Sequence, residues 1–190
     1  MKILLLGASK SGKSMFAQKL IKAFSDVDGS TPYYWATMEP ADGEDAERIK
    51  KHLEDRSGWG FETLGCAKNI ASALPQLEGE SSVLFDSITA LAANEMFGTV
   101  SSGYLQTPDA EAGERVMFEL LQLADCAKNA VFVCDEVFGD GKIYDDLTET
   151  YRRTLAHICR VLAEECDAVC EVVCGVPMLR KGALPQGMTD

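Results

Sequence analysis

The sequence predicts an α/β protein: a mostly parallel, largely buried sheet flanked by helices, in a single domain over residues 1–190. Three observations lead there. Short apolar runs alternate with longer segments of helical apolar spacing along the whole chain. Several of those runs are continuously apolar, as strands buried on both faces require. The first run leads straight into Gly7-Ala8-Ser9-Lys10-Ser11-Gly12-Lys13-Ser14, a complete G-x-x-x-x-G-K-[ST] motif, and then into a helical pattern. Strand, glycine-bracketed loop and helix together are the context in which that motif cradles phosphate.

The elements follow in order. Residues 2–6 form the first strand. Phe16, Ala17, Leu20, Ile21 and Phe24 have the 3.6-residue spacing of a helix over 15–24. Pro32 precedes a β-rich run at 33–37. A polar stretch and a charged helix at 44–56 come next, then a short strand at 61–64 and a small helix at 67–74. Residues 82–86 read as a buried strand ending in an acid, followed by a helix at 88–97. Residues 98–113 are rich in Gly, Ser and Thr and weakly periodic, so a mobile loop is expected. A helix to about 128 leads into a strand at 130–134. A polar loop at 138–142 precedes a long helix at 146–165, and 168–174 is the last strong strand. From Gly175 a short irregular tail is expected. The chain shows no internal repeat and no domain linker.

Bulk properties exclude several functions. The formal charge of −12 lacks the basic footprint that nucleic acid or an anionic membrane demands. No apolar run approaches the length needed to span a bilayer. The chain opens directly on a strand, so no signal peptide and a cytoplasmic location are expected. Seven cysteines without a C-x-x-C pair read as free buried thiols. Cys166, Cys170 and Cys174 recur every four residues, but a passage from helix into strand there would break a metal-binding face.

Four regions carry chemistry. Loop N–H groups and the helix N-terminus converge on a phosphate, Lys13 would reach the β- and γ-phosphates, and the Ser14 hydroxyl would face Mg²⁺. Asp86, ending an apolar strand, suits a Walker-B acid holding that Mg²⁺ with Ser14; the plain alternative is a helix cap. Asp135-Glu136 ends the next strand, where ligands sit in parallel sheets; the alternative is a solvated turn. On a helix, Arg48, His52 and Arg56 share one face, with Ile49 and Leu53 beside them to dock it. Flanking positive charge favours neutral, nucleophilic imidazole, and arginines grip phosphate bidentately. From spacing alone, though, a histidine on a charged helix is an ordinary solvated residue. His157, in the long helix, reads as packing.

Four blocks resemble the bifunctional adenosylcobinamide kinase / adenosylcobinamide-phosphate guanylyltransferase family of cobalamin biosynthesis. They are the loop at 7–14; Tyr34-Trp35-Ala36-Thr37 with Arg48-Ile49, His52, Arg56, Trp59 and Glu62-Thr63, similar to Y-I-A-T…R-I-x-x-H…R…W-x-T-x-E; Val83 to Leu91 with Asn94, similar to V-L-L-D-C-L-T-x-W…N; and Cys174-Gly175-Val176-Pro177 with Lys181, similar to S-G-I-P-x-x-x-K. The resemblance implies a RecA-like P-loop fold and two reactions. A nucleoside triphosphate, GTP or ATP, phosphorylates the aminopropanol hydroxyl of adenosylcobinamide. GTP then guanylylates His52, and GMP passes to adenosylcobinamide phosphate, giving adenosylcobinamide-GDP. It implies that His52 and Lys13 are catalytic. Gly7, Ala8, Ser9, Lys10, Ser11, Gly12, Lys13, Ser14, Arg48, Arg56, Glu62, Asp86 and Glu136 would bind nucleotide, with Ser14 and Asp86 on Mg²⁺, and Glu136 a base or metal-shell residue. A corrinoid substrate and a trimeric assembly are also implied. Where the family shows N-E-V-G followed by G-x-V-P, this chain has Asp135-Glu136-Val137-Phe138-Gly139 and no recognisable second part. From the residues themselves, a kinase for another small molecule and a non-catalytic nucleotide-binding regulator stay open.

Overall fold

The computed structural model describes residues 1–39, 58–99, 103–105 and 107–187. The helix expected at 44–56, with Arg48, His52 and Arg56, lies outside them. Seven strands form one sheet. In chain order they are β1 (Lys2–Gly7), β2 (Thr31–Ala36), β3 (Glu62–Gly65), β4 (Ser81–Asp86), β7 (Asn129–Asp135), β8 (Ala168–Val173) and β9 (Val176–Lys181). The spatial order is β3-β2-β4-β7-β1-β8-β9. All neighbours run parallel except the β8–β9 pair. The helices are α1 (Lys13–Asp28), α2 (Ile88–Phe97), α3 (Ala112–Cys126) and α4 (Asp146–Glu165), with a 3₁₀ turn at Ile70–Gln76.

Strand alternation splits the core into two layers. Ile3 and Leu5 of β1, Tyr34, Leu84, Val131 and Val133 pack with Phe16, Ala17, Leu20 and Ile21 of α1. Leu4, Tyr33, Trp35, Val83, Phe85 and Phe132 face the other way, onto α2, α3 and α4. Trp35, Phe85 and Phe132 lie in register across β2, β4 and β7, with tilted rings at centroid distances of 6.0 and 6.2 Å. Each such buried ring contributes about 1.5–3 kcal/mol of transfer free energy, so this row fastens the central strands whose ends carry the acids.

Local chemistry sets the helix ends. Ser87 caps α2 by accepting from Ala90 N–H at 3.2 Å, and Asp145 caps α4 by accepting from Thr148 N–H at 3.0 Å. Gly29, in the left-handed conformation, closes α1 with its N–H on Ser25 O at 2.9 Å. α1 starts at Lys13 and runs to Asp28, beyond the apolar stretch that marks it in the sequence.

Three expectations are corrected. The residues after Gly175 are not an irregular tail: Cys174 and Gly175 form a turn with positive φ, and β9 returns antiparallel along β8. Pro177 is accommodated there because β9 is an edge strand, where a missing N–H costs no ladder bond. The stretch 98–113 is not wholly a loop: β5 (Gly98–Thr99) pairs antiparallel with β6 (Gly103–Tyr104), and α3 starts at Ala112. Nor are the thiols uniformly buried, since Cys126 and Cys174 are exposed and Cys66 is half-buried. Cys166 ends α4, Cys170 lies in β8 and Cys174 in the turn, so the helical face suggested by their spacing does not form. No described helix is long and apolar enough to cross a membrane.

Candidate active site

Parallel strands bring their C-terminal ends to one border of the sheet, where β1 hands over to the loop. In register, Gly7 at the end of β1 lies opposite Asp135 at the end of β7, and Asp86 at the end of β4 lies opposite Val133. The loop and the acids of the two neighbouring strands therefore share one crevice border, the usual ligand position in an open α/β sheet.

The loop is fastened on both sides. Gly7 O accepts from Glu136 N–H at 2.8 Å, and Ser11 O accepts from Gly175 N–H at 2.8 Å. Inside the loop, Ser11 N–H donates to Ala8 O at 3.1 Å, and Phe16 N–H donates to Gly12 O at 3.0 Å, opening α1. A Cβ on Gly7 would lie 2.5 Å from Val172 O, and one on Gly12 would lie 3.2 Å from Gly175 Cα. Both glycines also have positive φ, so the close approach of β8 and its turn dictates the residue type. Ala8, Ser9 and Lys10 are exposed. Ser11 Oγ is buried without a hydrogen-bond partner among the described residues.

Lys13 is the centre of this arrangement. Its side chain is only 5% exposed, and Nζ donates to Ala8 O at 2.7 Å and to Asp135 Oδ1 at 2.8 Å. A buried ammonium needs such partners. Asp135 is itself braced: its N–H donates to Thr89 Oγ1 at 2.8 Å, and Tyr151 donates to Thr89 O at 2.9 Å. Burial pushes the Tyr151 phenol well above its ordinary value, so it stays a neutral donor. Asp86 Oδ2 accepts from the Tyr34 hydroxyl at 3.0 Å. Ser14 is half-buried in the first turn of α1.

The loops beyond β2 and β4 are cross-tied. Thr37, fully buried, donates through Oγ1 to Ser87 O at 3.0 Å and accepts from Ser87 N–H at 2.8 Å. Asn94 Nδ2 donates to Thr37 O at 2.8 Å and to Ala67 O at 3.0 Å. Beyond β7, Arg152 holds the carbonyls of Val137 and Phe138 at 2.9 and 3.0 Å and pairs with Glu149 at 2.7 Å. Its guanidinium lies 5.1 Å from the Tyr144 ring centroid. A cavity of about 400 Å³ opens there, lined in part by Glu136, Asp140, Tyr144 and Arg152. There, hydrogen bonds from Tyr144 and from Lys142 N–H hold the Asp140 carboxyl below the usual carboxylate range.

The structure thus gathers Gly7, Lys13, Asp86 and the Asp135-Glu136 pair at one border. Of that pair, Asp135 contacts Lys13, while Glu136 Oε1 accepts from Phe138 N–H at 2.8 Å. Glu62 is exposed at the start of edge strand β3, three residue steps or about 10 Å from that strand's C-terminal end. His157 faces Glu114 at 3.6 Å on the surface. Sequence reasoning gave no role to Thr37, Thr89, Asn94 or Arg152. Asn94 and Thr37 already stand out as polar residues beside apolar strands and helices, but their pairing spans 57 residues and is legible only in the fold.

The family described as cobinamide kinase / cobinamide phosphate guanyltransferase matches residues 3–179. The chain is 28% identical over 183 residues to the bifunctional adenosylcobalamin biosynthesis protein CobU of Salmonella typhimurium, covering 93% of this chain and 97% of that one. It is 28% identical over 186 residues to the bifunctional adenosylcobalamin biosynthesis protein CobP of Pseudomonas aeruginosa, covering 96% and 98%. Among solved structures, the flagellar accessory protein FlaH of Methanocaldococcus jannaschii superposes with a TM-score of 0.50 at 12% identity, over 97% of this chain and 82% of that one, which bears on the fold alone. With its RecA-like phosphate-loop sheet and a match over nearly its whole length, this chain belongs to the cobinamide kinase / cobinamide phosphate guanyltransferase family.

Proposed function

We propose that this chain catalyses both reactions of its family on a corrinoid: phosphorylation of adenosylcobinamide, then transfer of GMP to the phosphate so formed. The observation that carries the reading is Lys13, nearly buried at the end of the loop and held between a loop carbonyl and the acid of the adjacent strand. A cation fixed there stabilises charge on transferring phosphates.

In the kinase step, the substrate hydroxyl oxygen attacks the γ-phosphorus of the triphosphate. The nucleoside diphosphate leaves, and the hydroxyl proton passes to a carboxylate, for which Glu136 is the candidate. Lys13 and the loop N–H groups bind the β- and γ-phosphates. Ser14 and Asp86 offer hard oxygen donors of the type that suits Mg²⁺. One carboxylate oxygen of Asp86 accepts from the Tyr34 hydroxyl. Held by Ser14 and Asp86, such an ion would supply positive charge against the transferring phosphates.

In the transfer step, a neutral His52 nitrogen attacks the α-phosphorus of GTP and pyrophosphate leaves. A phosphate oxygen of the corrinoid then attacks the same phosphorus and displaces the imidazole, which leaves best when protonated. Arg48 and Arg56 are the proposed phosphate partners. Incubation with α-labelled GTP followed by denaturation tests this: an acid-labile label that disappears in His52→Asn is expected. Absence of any covalent label in the wild type refutes the transfer step. The trimer implied by resemblance predicts a threefold mass in sedimentation equilibrium.

A further inference from the structure

We propose that Asp135 makes this site select metal-bound over metal-free nucleoside triphosphate. The proposal rests on the reading of the loop as a nucleotide site. Asp135 Oδ1 lies 2.8 Å from Lys13 Nζ, so the one buried cation of the loop is already paired with a carboxylate. The backbone that carries this carboxylate is held in place. Its residue ends β7 directly opposite Gly7, its N–H is held by Thr89 Oγ1 at 2.8 Å, and Thr89 is held in turn by the Tyr151 hydroxyl.

A triphosphate that reaches Lys13 therefore meets a negative charge already paired with the ammonium. Two costs arise. Lys13 must loosen its bond to Asp135, and this cost is the same whether or not the ligand carries a metal. The phosphate oxygens must also sit near a like charge, and this cost scales with the charge that the ligand carries. A bound divalent cation cancels part of that charge and draws the nearby acids into attraction rather than repulsion. The second cost is therefore larger for the free triphosphate, and Asp135 acts as a filter on the ionic form of the ligand. An amide of the same shape would keep a hydrogen-bond acceptor for Lys13 and remove the filter.

The test is a titration of ATP and of GTP into wild type, Asp135→Asn and Asp135→Ser, once with EDTA and once with Mg²⁺ in excess, with dissociation constants read by calorimetry. Wild type is expected to bind far more weakly in EDTA than in Mg²⁺. In Asp135→Asn the EDTA constant should tighten about tenfold, a little above the bulk-water scale of one like-charge contact and below its near-surface scale. The ratio of the EDTA constant to the Mg²⁺ constant should fall at least threefold, through the EDTA arm. Asp135→Ser keeps the test available should the amide variant fail to fold. A smaller fall in the ratio overturns the proposal. So does a fall produced by weaker binding in Mg²⁺, which would make Asp135 a metal ligand instead of a filter. If neither wild type nor variants bind nucleotide in Mg²⁺, the reading of the loop itself fails.

Discussion

Replacing Gly7 by alanine adds one methyl group where β1 enters the loop. That methyl would sit 2.5 Å from Val172 O and 2.9 Å from Ser11 Oγ, and 3.4 Å from Lys13 Cδ. The first neighbour is backbone of β8, so the strands must part or the loop must shift. Such overpacking costs about 1–3 kcal/mol. The φ of +154° adds roughly 1–3 kcal/mol of backbone strain for a residue with a Cβ. The sum, about 4 kcal/mol, is a large share of a total stability of about 5–15 kcal/mol. For a domain of this size it corresponds to a fall in Tm of about 8–16 °C. Gly79 is the control: its φ is +57°, nothing lies within 4 Å of an added Cβ, and Gly79→Ala should cost about 1–2 kcal/mol. Equilibrium urea unfolding of both variants gives the comparison, with nucleotide titration as a second readout. Gly7→Ala should also weaken nucleotide binding, because Gly7 O holds the segment that carries Asp135 and Glu136. A difference between the two variants of less than about 1 kcal/mol would refute the steric argument, since it would reduce both costs to backbone conformation alone.

Asn94→Ala removes two hydrogen bonds that join the loops after β2 and β3; stability should fall by about 1–3 kcal/mol, with turnover reduced more than nucleotide affinity, as steady-state kinetics and urea unfolding would reveal. Asp28 tests the opposite end of the sheet. Burial works against its charged form, but hydrogen bonds from Ser30 and Asn129, with the Lys128 charge, hold its carboxyl below the ordinary range. A depressed value in the folded state stabilises the protein above the ordinary carboxylate pKa, and that contribution is lost as pH falls through the folded value. Asp28→Asn should therefore lower stability by about 1 kcal/mol at pH 7 and converge on wild type as the pH falls below the ordinary carboxylate range, measured by urea unfolding across pH.

The part of the fold that was legible in the sequence is the part governed by local rules. Leu4, Leu5, Val83, Leu84, Val131 and Phe132 sit in continuous apolar runs, and all are buried in central strands. The loop was legible because its residue spacing and its strand-loop-helix context lie within one short stretch of chain. What escaped depends on partners far away in the chain. Val176 to Lys181 shows no alternation and contains Pro177, so nothing local marks it as a strand; β8 recruits it by pairing. Gly98 to Tyr104 forms a ladder too short to leave a period. In the site, Asp135 and Glu136 look equivalent as neighbours in sequence. The direction of each side chain at the end of β7 decides that Asp135 meets Lys13, 122 positions away. The family blocks pointed to Thr37 and Asn94 without a reason, and the structure supplies one: they tie the loops of three strands together.

The turn at Cys174 and Gly175 has a bearing on how the molecule is made. The loop at residues 7–14 is synthesised before the turn at Cys174 and Gly175, yet one of its carbonyls, Ser11 O, accepts from Gly175 N–H. Its strand, β1, is likewise flanked by β7 and β8, both from the later part of the chain. Contacts of such long sequence separation form late and slowly. A nascent chain therefore carries this loop well before it can brace it, and the loop reaches its final shape only once β8 and the turn after it have emerged.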